Sequence, residues 1–318
     1  MKKMRVLIDA FGGDKAPEEI IKGSRMAADE FEVEITLFGN ENKIKKTSDE
    51  LGVSLEGIKI VNTNEIILPE DEAIEIIKSK KDSSMACGLK ALALGEGDVF
   101  ISAGNSGALL AGASLIVKRK KNIRRIAFAP LVPRLKGSFI LIDGGANASC
   151  TPEILLQFGI MGFDYAKNKL KIENPRVGLL NIGTEPTKGD ALRKDAFELF
   201  CKEKDINFIG NIEAREAITK DTVDVVVSDG FTGNIFVKLY EGMAEFLIKK
   251  FNKVLLESIK SDISEISEKI KKIKKEIDYS EHGGAPLLGV LRPVFKAHGN
   301  SDAKTIKNAI KMALLNAT

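Results

Sequence analysis

Two segments of this sequence carry residue types suited to holding an anion. Asn181-Ile-Gly-Thr-Glu-Pro-Thr-Lys188 leaves an apolar strand pattern and enters a helical one. Thr184, Thr187 and Lys188 can bind a phosphate at that helix start. Lys188 would supply a compact point charge. A merely solvated lysine is the plainer reading, but the first helical turn carries the positive end of the helix dipole and suits a cation poorly. Asp229-Gly-Phe-Thr-Gly-Asn234 also opens a helix. Asn234 can orient a phosphate or donate to a developing oxyanion. Equally, Thr232 or Asn234 can serve as a cap or turn residue. The two histidines, His282 and His298, each adjoin glycine, and each either lines a site or only makes a turn. Neither pairs with a Ser or Cys nucleophile motif, and no G-x-S-x-G elbow is present, so a covalent Ser–His mechanism is unsupported.

Four more glycine-rich turns join these two: Asp9-Ala-Phe-Gly-Gly-Asp14, Gly104-Asn-Ser-Gly107, Asp143-Gly-Gly-Ala-Asn147 and His298-Gly-Asn-Ser-Asp302. Most follow apolar runs such as Val6-Leu7-Ile8, Val99-Phe100-Ile101 and Ile140-Leu141-Ile142. A single such turn needs no function, since glycine is required wherever φ is positive. Several at successive strand ends predict a crevice at the carboxyl edge of an α/β sheet, sized for an anion or cofactor. Gly12, Gly13, Asp14, Asn105, Ser106, Gly107 and Asn147 are its candidate lining. The dinucleotide fingerprint G-x-G-x-x-G and the phosphate loop G-x-x-x-x-G-K-[ST] are both missing, which argues against standard NAD binding and nucleotide hydrolysis.

The elements that must position these residues alternate almost throughout. Strand patterns at Met4–Asp9, Val33–Phe38, Ile58–Val61, Asp98–Ser102, Arg176–Asn181, Asn207–Ile209, Val223–Ser228 and Val294–Lys296 are separated by helical ones. The helices are expected at Pro17–Asp29, Glu41–Leu51, Glu70–Lys78, Ser83–Leu94, Ser106–Val117, Pro152–Asn168, Lys188–Glu203 and Asp302–Leu315. Phe128–Val132 and Phe139–Asp143 read as an antiparallel hairpin. The pattern predicts a single α/β domain over 1–318, with a mostly parallel sheet and helices on both faces.

Bulk properties narrow the classes. The 318 residues suffice for a large core, and 44% hydrophobic with 29% charged residues is ordinary for a globular protein. A net charge of +3 does not call for nucleic acid. The three scattered cysteines Cys87, Cys150 and Cys201 form no zinc-binding spacing and fit a reducing, cytoplasmic setting. The chain enters a strand within a few residues, so no signal peptide is read, and no apolar run is long enough to span a bilayer. No metal or cofactor is expected.

Two segments point outward. Ile259, Ile263, Ile266, Ile270, Ile273 and Ile277 form a narrow apolar seam in a stretch rich in Lys, Glu and Ser. The seam suits a neighbouring helix or a dimer partner, or else a membrane surface met by Lys269, Lys271, Lys272, Lys274 and Lys275. With its flanks, about 240–280, it is expected to protrude as a helical segment. Lys118-Arg-Lys-Lys-Asn-Ile-Arg-Arg125 is the strongest basic run. It serves as a solvated helix C-terminus, or as a contact for an acidic protein or lipid surface.

Taken in order, these motifs resemble the bacterial phosphate acyltransferases of phospholipid synthesis, the PlsX family. The resemblance covers nearly the whole chain. It rests on Asp9-Ala-Phe-Gly-Gly-Asp-Lys-Ala-Pro17, Lys80-Lys-Asp-Ser-Ser-Met85, Ser102-Ala-Gly-Asn-Ser-Gly-Ala108, Leu180-Asn-Ile-Gly-Thr-Glu185, Asp229-Gly-Phe-Thr-Gly-Asn234, Gly283-Gly-Ala-Pro-Leu-Leu-Gly289 and Lys296-Ala-His-Gly-Asn-Ser-Asp-Ala303. Phe11 departs from the family's usual Met. The resemblance implies acyl transfer from acyl carrier protein to inorganic phosphate. It also implies a homodimer with a three-layer αβα fold like that of isocitrate and isopropylmalate dehydrogenases. The acyl phosphate would feed a membrane glycerol-phosphate acyltransferase, which implies peripheral contact with the membrane. On this reading Lys188 and Asn234 are catalytic, while Thr184, Thr232 and His298 join the glycine turns as substrate-binding residues. A coenzyme A-dependent phosphate acyltransferase and a non-enzymatic, lipid-responsive scaffold are the competing classes.

Overall fold

In a computed structural model, residues 3–258 and 283–317 are described, and they divide into two compact units. Of the described residues, one unit comprises 3–130 and 283–317, the other 131–258. Each has its own sheet. The isoleucine seam and its lysines lie outside the described residues, as does His282.

The first unit is built on a seven-stranded sheet. Its strands are β1 (Met4–Asp9), β2 (Val33–Gly39), β3 (Lys59–Asn62), β4 (Val99–Ser102), β5 (Ala127–Phe128), β11 (Ala285–Leu288) and β12 (Val294–Lys296). They lie in the order β3-β2-β1-β4-β12-β11-β5, parallel from β3 to β12 and antiparallel beyond. The alternating residues Val6 and Ile8, Ile35 and Leu37, and Val99 and Ile101 share one core with α1 (Glu18–Glu30), α2 (Glu41–Leu51) and α9 (Ala303–Ala317). Leu7 and Phe100 pack on the opposite side beneath α3 (Ser84–Leu94), where Gly88 and Gly97 allow close approach. Burial on both faces is what the nearly continuous apolar strands require. The chain runs from β1 to β2 and β3 on one side, then returns to β4 on the other, so the switch point falls between the ends of β1 and β4.

The second unit has a five-stranded sheet ordered β6-β7-β10-β8-β9. These strands are β6 (Leu131–Pro133), β7 (Ser138–Ile142), β8 (Arg176–Leu180), β9 (Asn207–Ile212) and β10 (Val225–Val227). All pair in parallel except β6 with β7. α5 (Pro152–Asn168) and α6 (Ala191–Lys202) cover one face. Phe236 and Val237 of α8 (Gly230–Ser258) and Ala217 of α7 (Ala214–Thr219) close the other.

Several expectations shift in detail. The single strand read at Phe128–Val132 is two strands in two sheets, β5 against β11 and β6 against β7. Pro130 stands between them, and proline has no N–H to continue a ladder. The helix expected at Glu70–Lys78 is a short 3₁₀ turn at Ala73–Ile77. The loop around it is closed by Asp71, which accepts from Leu68 N at 2.6 Å and pairs with Lys80. α4 (Ser106–Gly112) continues to Lys118 as a wider π turn. β11 and α7 have no counterpart in the sequence reading.

Candidate active site

Each unit gathers one group of candidate residues at the carboxyl ends of its strands. In the first, Asp9 ends β1 and is buried. Its carboxylate accepts from Ser84 Oγ and Ser102 Oγ, both at 2.7 Å, and from Phe11 N at 3.3 Å. Burial pushes the Asp9 carboxyl above the usual range, while these donors pull it back. Gly12 can only be glycine here: a Cβ would lie 2.6 Å from Asp9 Oδ2 and 2.8 Å from Ser102 Oγ. Asp14 N donates to Gly299 O at 2.7 Å, which ties the Gly12-Gly13-Asp14 turn to the segment after His298.

Asn105 caps α4, accepting from Ala108 N at 3.0 Å. Its amide nitrogen lies 3.2, 3.0 and 3.1 Å from the carbonyls of Leu68, Pro69 and Asp71. The side chain is therefore engaged in anchoring a loop. Ser106 is exposed, and Gly107 is half-buried beside it.

Lys296, the first residue of the Lys296–Ala303 motif, ends β12. Its ammonium donates to the carbonyls of Ala103, at 3.1 Å, and Ala297. Burial lowers it from the usual lysine value to about 8, against the opposing pull of Asp9 and Asp14.

In the second unit Asp143 follows β7 and is fully buried. It accepts from Gly145 N (3.1 Å), Ala146 N (2.9 Å), Asn147 N (2.7 Å) and Asn147 Nδ2 (2.8 Å). Burial again raises this carboxyl, with the N–H donors opposing. Asn147 O in turn accepts from Gly230 N at 2.8 Å. Asn234 lies against Gly145, whose φ of +136° and lack of Cβ leave room for the Asn234 amide, 2.5 Å from where that Cβ would be.

Asp229 caps α8 by accepting from Thr232 N at 2.9 Å. Thr232 Oγ1 donates to the same carboxylate, and Arg193 pairs with it too. Burial works to raise Asp229, but the Thr232 bonds and the Arg193 charge win and hold it below the usual range. Arg193 also grips Asp190 at 2.9 Å and donates to Thr232 Oγ1 at 3.0 Å. It thereby fastens the loop that carries Thr184 and Lys188 to the turn that leads to Asn234.

Lys188 needs one correction. It stands before α6 rather than in its first turn, because Asp190 is the cap, accepting from Arg193 N at 2.9 Å. The dipole argument therefore applies to it only weakly. Its side chain is 49% exposed and its Nζ lies 4.0 Å from Glu185 Oε1. Asn181 steadies the loop, donating to Lys188 O at 3.1 Å and accepting from Ile182 N at 2.8 Å. Thr184 is exposed on the same loop.

The exposed Lys188 ammonium, on a loop steadied by Asn181 and Arg193, and the Asn234 amide, on a turn beside the buried Asp143 and Asp229, can bind and orient an anion. Arg193 was the residue missed in this unit. The Asp190-x-x-Arg193 spacing was its only local signal, since Asp229 is remote in sequence. Among the described residues no three His, Cys, Asp or Glu side chains gather as a metal-binding set. Nor is any helix there long and apolar enough to cross a membrane.

The model of a family described as fatty acid synthesis protein matches residues 4–317. A phosphate acyltransferase of Alkaliphilus oremlandii is 46% identical over 313 residues, covering 98% of this chain and 93% of that protein. In fold, the chain is similar to a phosphotransacetylase from Streptococcus pyogenes, with a TM-score of 0.68 at 17% identity, over 99% of this chain and 93% of that one. It is also similar to a 4-hydroxythreonine-4-phosphate dehydrogenase from Klebsiella pneumoniae, with a TM-score of 0.60 at 13% identity, over 99% and 98%.

Proposed function

The chain belongs to the fatty acid synthesis protein family, as a phosphate acyltransferase, and from that premise we propose that it moves a fatty acyl group from acyl carrier protein to inorganic phosphate. Phosphate attacks the thioester carbonyl, the C–S bond breaks, and acyl phosphate and carrier thiolate result. Phosphate is already anionic at neutral pH, so it needs positioning more than deprotonation, and a thiolate leaves readily. Lys188 binds the phosphate or the developing oxyanion, and Asn234 orients the same group. The observation that carries this is the Arg193 link, which holds the Lys188 loop to the Asn234 turn through Asp190 and Asp229. Asn147 and Thr232 shape that turn. Asn105, whose amide is engaged by three carbonyls, positions α4.

Supporting a homodimer or peripheral membrane contact is a stripe of exposed apolar residues on α8: Phe231, Ile235, Leu239, Met243, Phe246 and Phe251. The acyl phosphate is in turn a substrate for a membrane glycerol-phosphate acyltransferase.

The test is thiol release from palmitoyl-acyl carrier protein with and without phosphate, with palmitoyl-coenzyme A in parallel. Phosphate-dependent release from the carrier protein, with acyl phosphate as product, is expected. Release from coenzyme A alone would move the chain to the coenzyme A-dependent class, and no release from either would favour a scaffold. Lys188→Ala and Asn234→Ala are each expected to lower kcat by about 100-fold, the scale of a lost oxyanion donor. Near-normal turnover in both would overturn their assignment.

A further inference from the structure

The basic run Lys118–Arg125 is fixed in place by the fold. Lys120 N donates to Gly289 O at 2.8 Å, Leu291 N donates to Lys118 O at 3.0 Å, and Ile123 N closes on Lys120 O at 3.2 Å. Arg119 and Val290 form a bridge, and the Arg119 guanidinium donates to Arg124 O. Lys118 and Asn122 both take positive φ, 74° and 67°, a conformation that side-chain-bearing residues adopt at a cost. The result is a turn on which Lys118, Arg119, Lys120, Lys121, Arg124 and Arg125 are all exposed.

A solvated helix end would explain Lys118, but not a whole turn of cations pinned to a neighbouring segment. Nor is the surface purely charged. Leu115, one turn earlier, is 51% exposed, and Leu291, bonded to Lys118, is 55% exposed. Leu94, at the end of α3, is 77% exposed. Arg292 reaches that end too: a Cβ on Gly95 would lie 3.2 Å from its Nη2. Glu96 and Asp98 are the acidic residues in that short stretch of sequence, and Asp98 pairs with Arg5. Isolated leucines among cations match an acidic amphipathic helix, whose charges meet the rim while its apolar face covers the leucines. A bilayer would favour a broader apolar face.

We propose that the turn Lys118–Arg125, with Leu94, Leu115, Leu291 and Arg292, is the docking surface for an acidic helical protein that carries the acyl donor. This rests on the reading that the donor is protein-borne. Steering by such a patch acts on encounter, so it belongs in KM and in the salt dependence of kcat/KM, leaving kcat alone.

The experiment uses the full chain with Lys120→Glu/Lys121→Glu, and Lys120→Gln/Lys121→Gln as the milder variant. Palmitoyl-acyl carrier protein is compared with palmitoyl-pantetheine, which has no protein to dock. Binding of fluorescently labelled carrier protein is measured separately by anisotropy. For the reversal variant, KM for the carrier-borne donor is expected to rise about ten-fold or more, with kcat and the pantetheine kinetics unchanged and a flatter salt dependence. The glutamine variant should fall between. Equal losses with both donors, or unchanged carrier kinetics and binding, would overturn the proposal. So would loss of sedimentation with phosphatidylglycerol vesicles while carrier binding stays intact, which would make the patch a membrane contact. If no acyl phosphate forms at all but anisotropy still weakens in the variants, the docking surface stands and the acyl-transfer reading fails.

Discussion

Asp9 and Asp143 occupy equivalent places, each buried at the carboxyl end of a strand and followed by glycines, yet they are held by different kinds of donor. Asp143 accepts N–H groups from Gly145, Ala146 and Asn147 in its own loop. Asp9 accepts hydroxyls from Ser84 and Ser102, on two other elements, plus one N–H from Phe11. An N–H can only donate, whereas a hydroxyl can rotate and accept. The Asp143 turn therefore depends on a carboxylate, while the Asp9 turn needs only a side chain of that shape. Local chemistry holds the second unit's turn, and tertiary packing holds the first unit's.

That contrast can be broken by substitution. Asp143→Asn places an NH₂ against fixed N–H donors and is expected to cost about 3 kcal/mol in denaturant unfolding. Arg193→Met, which leaves Asp229 without its cation, is expected to cost about 2 kcal/mol, with part recovered by Arg193→Lys. Asp229 is held below the usual carboxylate range. The stability it contributes is thus present above the unfolded value and is lost as pH falls through the folded one. The gap between wild type and Arg193→Met should close in acid, and a gap that stays constant with pH would show that Arg193 acts by packing alone.

Asp9→Asn is expected to cost about 1 kcal/mol, because Ser84 and Ser102 can reverse their bonds. Equal losses in Asp9→Asn and Asp143→Asn would erase the distinction between the two turns. A pH profile tests Lys296. Its folded value of about 8 lies below the usual 10.5, so between these values the folded chain binds fewer protons than the unfolded one. Stability should therefore rise with pH across that window. Lys296→Met should flatten the rise in Tm between pH 8 and 10, and parallel curves would place the lysine's burial penalty elsewhere.

How legible the molecule was in its sequence follows from the range of the forces involved. β1 at Met4–Asp9, α2 at Glu41–Leu51, α5 at Pro152–Asn168 and β12 at Val294–Lys296 lie where periodicity, caps and Pro152 put them, because those signals act within a few residues. β11 was not readable, since its short run gains its place only by pairing with β5 and β12. The 127–133 stretch divides between two sheets at one proline, a choice made by the strands that receive each half. For the candidate site, the glycine turns and the proposed residues Lys188 and Asn234 could be singled out from residue type and spacing.

The sequence by itself determined the alternation of strands and helices, the glycine turns at strand ends and the family, because each is written in short-range pattern or in ordered motifs. Only the tertiary structure decided that Lys188 precedes its helix, that Arg193 joins its loop to the Asn234 turn, that Asn105 is an anchor and that Lys296 is half-buried within the electrostatic reach of Asp9. These depend on partners distant in the chain. Burial and hydrogen-bond geometry select such partners only when the whole fold is assembled.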